Sequence, residues 1–165
     1  MLGPTDLLSA ARLLADGEAA TEAHFRRAIS TAYYAHFHHV LRAGAERFLK
    51  DGKTDGAAYS VLYRGFSHGR MKAVCESLNA STLNRTFARQ FRRASVSAEM
   101  RTFANIFLAL QEWRQLADYD PLLDFAKSDA ETCIQDARVA MATFDRTEPA
   151  EQDDVLALML TNARG

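Results

Sequence analysis

Apolar residues recur along this chain at intervals of three and four, the spacing that puts one face of a helix against a core. From about Ala20 to Lys50 the stripe is Phe25, Ile29, Ala32/Tyr33, His36/Phe37 and Val40, closed by Asp51-Gly52. A helix of that length spans roughly 45 Å at about 1.5 Å per residue, which suits an elongated bundle. A shorter helix precedes it, Asp6 to Ala15, with Thr5 as N-cap and Gly17 as stop. Two shorter pieces fill Asp55 to Asn79, interrupted near Gly65-Phe66-Ser67-His68-Gly69, and a further one, Leu83 to Arg93, turns Leu83, Phe87 and Phe91 to one side. Ser97 caps a second long helix whose stripe is Phe103, Ile106/Phe107, Leu110 and Trp113, and Pro121 stops it just beyond Tyr119. Ser128-Asp-Ala-Glu131 matches a capping box, so another helix runs from there to about Phe144 with Ala130, Cys133/Ile134, Ala137 and Met141 inward. A last short helix, around Asp153 to Leu160, follows Pro149. No alternating strand pattern competes. The expected fold is all-α, an antiparallel helical bundle of two to three long helices plus short ones.

Composition fits that picture and narrows it. The chain has 165 residues, enough for a single domain with its own core, about 20–145, followed by the short C-terminal helix and tail at 150–165. Three prolines and eight glycines leave room for long helices. A net charge of −1 argues against coating nucleic acid by bulk charge. Cys75 and Cys133 form no metal-ligand spacing and read as small apolar fillers in a reducing cytosol. No apolar run approaches the ~18 residues of a membrane span, and the N-terminus lacks a signal-peptide pattern. A cytoplasmic protein without a membrane contact is expected.

Three segments carry a family resemblance. They are Arg26-Arg27-Ala-Ile-Ser-Thr-Ala-Tyr33-Tyr34-Ala-His36-Phe37-His38, then Phe66-Ser67-His68-Gly69-Arg70-Met71, then Trp113-Arg114-Gln115-Leu116-Ala117-Asp118-Tyr119-Asp120. In this order and spacing they resemble the HEPN superfamily, especially its small stand-alone bacterial branch, over about residues 20 to 145. The resemblance implies a helical bundle that dimerises. In many such proteins an arginine followed four to six residues later by histidine forms a metal-independent RNA-cleaving site across the dimer. Several are toxins of toxin–antitoxin pairs or parts of defence systems, and others are binding or assembly modules without that motif. Here Arg114 matches the arginine, but Asp118 and Tyr119 stand where the histidine is expected.

That departure leaves two readings open. In the first, the chain acts on RNA. Arg114 would supply positive charge at the phosphate, with Asp118, Tyr119 or His68 handling protons. In the second, the chain is a non-catalytic dimerisation or adaptor module and Arg114–Asp118 is an i,i+4 structural pair. Arg114 lies about 40° from Leu110 around the helix, within the apolar stripe, so its charge needs a partner or a crevice. Arg27, Tyr34 and His38 share a second face of the long helix and are candidates for a cleft or dimer interface. Arg85, Arg89, Arg92 and Arg93 are spaced to occupy one side of their helix, opposite Leu83, Phe87 and Phe91, and are the candidate RNA-binding face. Residues 83 to 101 hold five arginines against Glu99, whereas residues 118 to 154 hold eleven acids against three bases. Of His36, His38 and His39 only His36 and His39 have a workable helical spacing, too few ligands for zinc, and no metal or other cofactor is expected. The partners anticipated are a second copy of the chain, RNA, and an antitoxin or defence-system protein.

Overall fold

The computed structural model describes residues 3–49 and 56–161. Among them the chain is all-helical, with eight helices: α1 (Pro4–Asp16), α2 (Glu22–Phe48), α3 (Ala57–Gly65), α4 (His68–Leu78), α5 (Arg85–Phe91), α6 (Ala98–Tyr119), α7 (Lys127–Arg146) and α8 (Pro149–Leu160). The long elements anticipated from periodicity are α2, α6 and α7. The stop expected for α2 at Asp51-Gly52 lies outside the described residues.

The helix ends follow local chemistry, with three departures from expectation. Gly3, not Thr5, is the N-cap of α1: Pro4 takes the first helical position and Asp6 Oδ2 accepts from the Gly3 N–H at 2.8 Å. α7 begins at Lys127, so Ser128 lies inside it, and it is Asp129 Oδ2 that reaches back to accept from the Ala126 N–H at 2.8 Å. α8 starts at Pro149, four residues before the expected Asp153, because proline at N1 is already set for a helix. Ser97 caps α6 as expected, its Oγ accepting from the Met100 N–H at 3.1 Å.

Two compact units make up the chain. The first comprises residues up to His39 together with Ile106–Ala142, and the second comprises Val40–Asn105 and the residues from Thr143 onward. α2, α6 and α7 each contribute a stretch to both.

In the first unit α2 and α6 run antiparallel. Passing from Arg26 to His36 on α2, the partners run from Asp120, just past the end of α6, back to Phe107 within it. Ala28, Ile29, Ser30, Ala32, Tyr33, Ala35, His36 and Phe37 are all buried, so this stretch of α2 is enclosed on most of its circumference. Tyr33 and His36 meet the Phe107 ring, with centroids 5.9 and 5.3 Å away. Ala130, Cys133, Ile134, Ala137 and Met141 form the buried face of α7, the residues its periodicity marked.

In the second unit the Phe103 and Phe144 rings meet with centroids 4.8 Å apart and planes tilted by 45°, and α4 lies against α8. Phe66 sits on Gly44 so closely that a Cβ there would fall 2.3 Å from the ring tip. Only glycine lets the helix and ring approach this far. Ser67 caps α4 through the Arg70 N–H, Arg70 Nε donates to the Leu158 carbonyl at 2.8 Å, and Met71 is buried. The helix break at 66–67 therefore has a packing role on each side.

Candidate functional site

The first unit gathers the arginine and carboxylate that the sequence placed one turn apart. Arg114 is 9% exposed, as its position within the apolar stripe requires. Its Nη1 lies 3.5 Å from Asp118 Oδ2, and its guanidinium packs 5.4 Å from the Tyr33 ring centre and 6.0 Å from that of Tyr119. Two residues of α2 complete the cluster. Ser30 Oγ donates to Asp118 Oδ2 at 3.2 Å, and Arg27 Nη1 approaches Asp118 Oδ1 at 3.5 Å. The Asp118 carboxylate thus faces three donors from two helices. Arg114 Nε is buried without a hydrogen-bond partner.

Arg26, next to Arg27, does something the sequence reading missed. Its guanidinium collects the carbonyls of Ala117 (3.0 Å), Asp120 (2.8 Å) and Leu123, while its Nε pairs with Glu22 at 2.7 Å. These carbonyls belong to the end of α6 and the loop after it, where backbone acceptors lack helical partners and the helix dipole is negative. Phe125 adds its ring 4.8 Å below the same guanidinium. Arg26 thereby ties α2 to the end of α6, one turn from the Arg114 cluster.

Beside this clasp the surface is open and apolar. Tyr119 and Leu122 are 75% and 89% exposed, Leu123 is half-exposed, and a shallow depression is lined by Gln115, Leu116, Tyr119, Asp120 and Pro121. Tyr119, offered as a proton carrier, turns its ring over Arg114 but is otherwise solvent-facing. Tyr34 and His38 are partly buried on α2 with ring centroids 6.2 Å apart, and burial lowers the His38 imidazole below its ordinary value. Arg27 is largely exposed.

His68 belongs to the second unit, where it is the partly exposed first residue of α4. His36 is fully buried, and desolvation, with the nearby His39 charge adding to it, holds its imidazole at about 3. It is a neutral core residue. Among the described residues no group of three His, Cys, Asp or Glu side chains could hold a metal ion. Both cysteines are buried free thiols raised above their ordinary value by desolvation, Cys133 to about 12.

The arginine-rich segment, also in the second unit, is split in a way the helical spacing did not anticipate. α5 ends at Phe91, and Arg92 adopts the left-handed conformation (φ 52°), its N–H donating to the Ala88 carbonyl. The next N–H, that of Arg93, also donates to Ala88, so the chain reverses there. Arg93 consequently turns to α8, pairing with Glu151 at 3.1 Å and Asp154 at 3.4 Å. Glu151, 2% exposed, also accepts from the Ser97 N–H (2.8 Å) and Oγ (2.6 Å) at the start of α6. Arg93 therefore leaves the proposed basic face and joins a structural network. Arg85, Arg89 and Arg92 stay exposed, and none has a carboxylate partner among the described residues. Phe87 and Phe91 anchor α5 from its other side.

No family model matches the chain, and no curated protein or solved structure does either. Among the described residues no helix is long and apolar enough to cross a membrane.

Proposed function

We propose that this chain is a HEPN-like module of a toxin–antitoxin or defence system that holds RNA by its phosphates, acts as a homodimer, and does not cut the RNA it holds. The observation carrying the RNA part is the set of three exposed arginines without carboxylate partners, Arg85, Arg89 and Arg92, on a segment anchored by two buried phenylalanines. Phosphate recognition needs cations that are not already neutralised by the protein itself. The absence of cleavage follows from the Arg114 cluster. In-line attack by a 2′-hydroxyl needs a proton acceptor beside the phosphate, and the Asp118 carboxylate already receives Ser30, Arg27 and Arg114. Arg114 is likewise enclosed by Tyr33 and Tyr119.

A second reading, a dimerisation or adaptor module with no RNA role, draws support from the exposed apolar surface of Tyr119, Leu122 and Leu123. Expression of wild type, Arg114→Ala and the Arg85→Ala/Arg89→Ala pair, followed by RNA co-purification and total-RNA integrity, separates the readings. The proposal expects RNA to co-purify intact with wild type and not with the arginine pair variant. Absence of RNA from all three favours the adaptor, and RNA cut by wild type but not by Arg114→Ala would establish a nuclease.

A further inference from the structure

The left-handed backbone at Arg92 is the one positive-φ position occupied by a residue other than glycine among the described residues. At a helix C-terminus this conformation is ordinarily taken by glycine, or by asparagine, because a Cβ crowds the following carbonyl. Arginine has no local hydrogen bond to offset that strain in the way asparagine does. Nor does its side chain compensate through contacts within the fold: it is exposed, with no ion pair to a described residue. The neighbours behave differently. Arg93 is engaged by Glu151 and Asp154, and Phe91 is buried. Backbone strain at a residue whose exposed side chain makes no ion pair or hydrogen bond with the described residues points to a role outside the fold.

We infer that Arg92 is a phosphate-contacting residue retained at a position where it lowers stability, and that it acts with Arg85 and Arg89 on the RNA backbone. Arg85 and Arg89 lie one turn apart on α5, opposite Phe87 and Phe91, and Arg92 follows at its end. The reversal directs Arg93 to α8 and leaves Arg92 exposed at the end of the same short helix. One segment thus divides its arginines between holding α8 and meeting a polyanion. The inference rests on the RNA reading above and adds that removing Arg92 has opposite effects on stability and binding.

The test uses the full chain as Arg92→Gly and Arg92→Asn, both of which tolerate a left-handed backbone while removing the charge. Thermal unfolding is measured beside fluorescence anisotropy with a labelled single-stranded RNA oligonucleotide at several salt concentrations, and beside isothermal titration calorimetry with inorganic polyphosphate alone. Arg92→Gly is expected to raise Tm by roughly 2–4 °C. It is also expected to weaken RNA binding several-fold and to reduce the slope of log K against log salt by about 0.7. Arg92→Asn should weaken binding equally without loss of Tm. Unchanged affinity and slope in both variants, or a fall in Tm for Arg92→Gly, overturns the inference. If wild type binds polyphosphate but no RNA, and Arg92→Gly weakens that binding, the RNA reading fails while the role of Arg92 stands. If wild type binds neither, both fail.

Discussion

Truncating Asp118 to alanine would remove the carboxylate at the centre of the first unit's polar cluster. It leaves Arg114 packed on Tyr33 with no counter-charge, and Ser30 Oγ without its acceptor. Removing one partner of a buried ion pair costs about 3–5 kcal/mol, because the other charge stays desolvated and alone. Here both arginine contacts are long, 3.5 Å, and the paired side chains of Arg114 and Asp118 keep 11% and 14% of their exposure, so the low end applies. Arg27, with its side chain 67% exposed, adds little. The expected loss is about 3 kcal/mol, or roughly 6–12 °C in Tm for a chain this size. The double variant Arg114→Met/Asp118→Leu removes both charges and fills the space with apolar atoms, so its cost should fall below about 1 kcal/mol. Urea unfolding at pH 7 with matched m-values measures both. If Asp118→Ala lies within about 0.5 kcal/mol of wild type, or the double variant is worse than the single, the pair is not the packing element described here.

Three further outcomes follow from other parts of the fold. Burial holds the His36 imidazole at about 3, so the folded state refuses a proton that the unfolded chain accepts below about 6.5. Stability is then fully present above pH 6.5 and falls as pH drops towards 3, by about 2 kcal/mol between pH 7 and pH 5; denaturant unfolding at the two pH values should show that difference, and His36→Leu should flatten it. Arg26→Met removes the donor shared by the Ala117, Asp120 and Leu123 carbonyls. It should cost about 2 kcal/mol and speed amide exchange at 117–124, whereas unchanged exchange there would deny the clasp its role. Gly44→Ala would gain about 1 kcal/mol in helix propensity but sets a methyl against the buried Phe66 ring, so a net loss of about 1–2 kcal/mol is expected. Pairing it with Phe66→Leu should recover most of that loss, and a stabilising Gly44→Ala would refute the close packing.

Much of this architecture was legible in the pattern of apolar residues. The stripes of α2, α6 and α7 supply the buried faces, because a long helix averages over many positions and its period survives local exceptions. The break at Gly65–Gly69 was visible from glycine and serine alone. Helix ends were less legible: at Gly3 and Pro149 one residue's backbone preference, and at Lys127 the Asp129 bond to the Ala126 N–H, accompanies the start, and competing caps lie within a turn. α5 shows the limit most clearly. Four arginines read as one face if the helix continues to Arg93, and the left-handed turn at Arg92 redirects the last one to Glu151.

The polar cluster was half legible. Arg114 and Asp118 share a turn, so their pairing can be read from one segment. Ser30 and Arg26 meet residues 88 to 97 positions away in sequence, and their register depends on how α2 and α6 pack. Ser30 is a small polar residue on a helix with an apolar stripe. Nothing local marks it as the donor to Asp118.

The most direct test of the central proposal is fluorescence anisotropy of purified wild-type protein with a labelled RNA oligonucleotide, titrated between 50 and 200 mM salt, with the RNA then run on a denaturing gel. Three phosphate contacts from Arg85, Arg89 and Arg92 predict saturable binding whose log K falls with log salt at a slope between about −2 and −3, and RNA recovered at full length. Absence of salt-dependent binding, or RNA cleaved with turnover that Arg114→Ala abolishes, would contradict it.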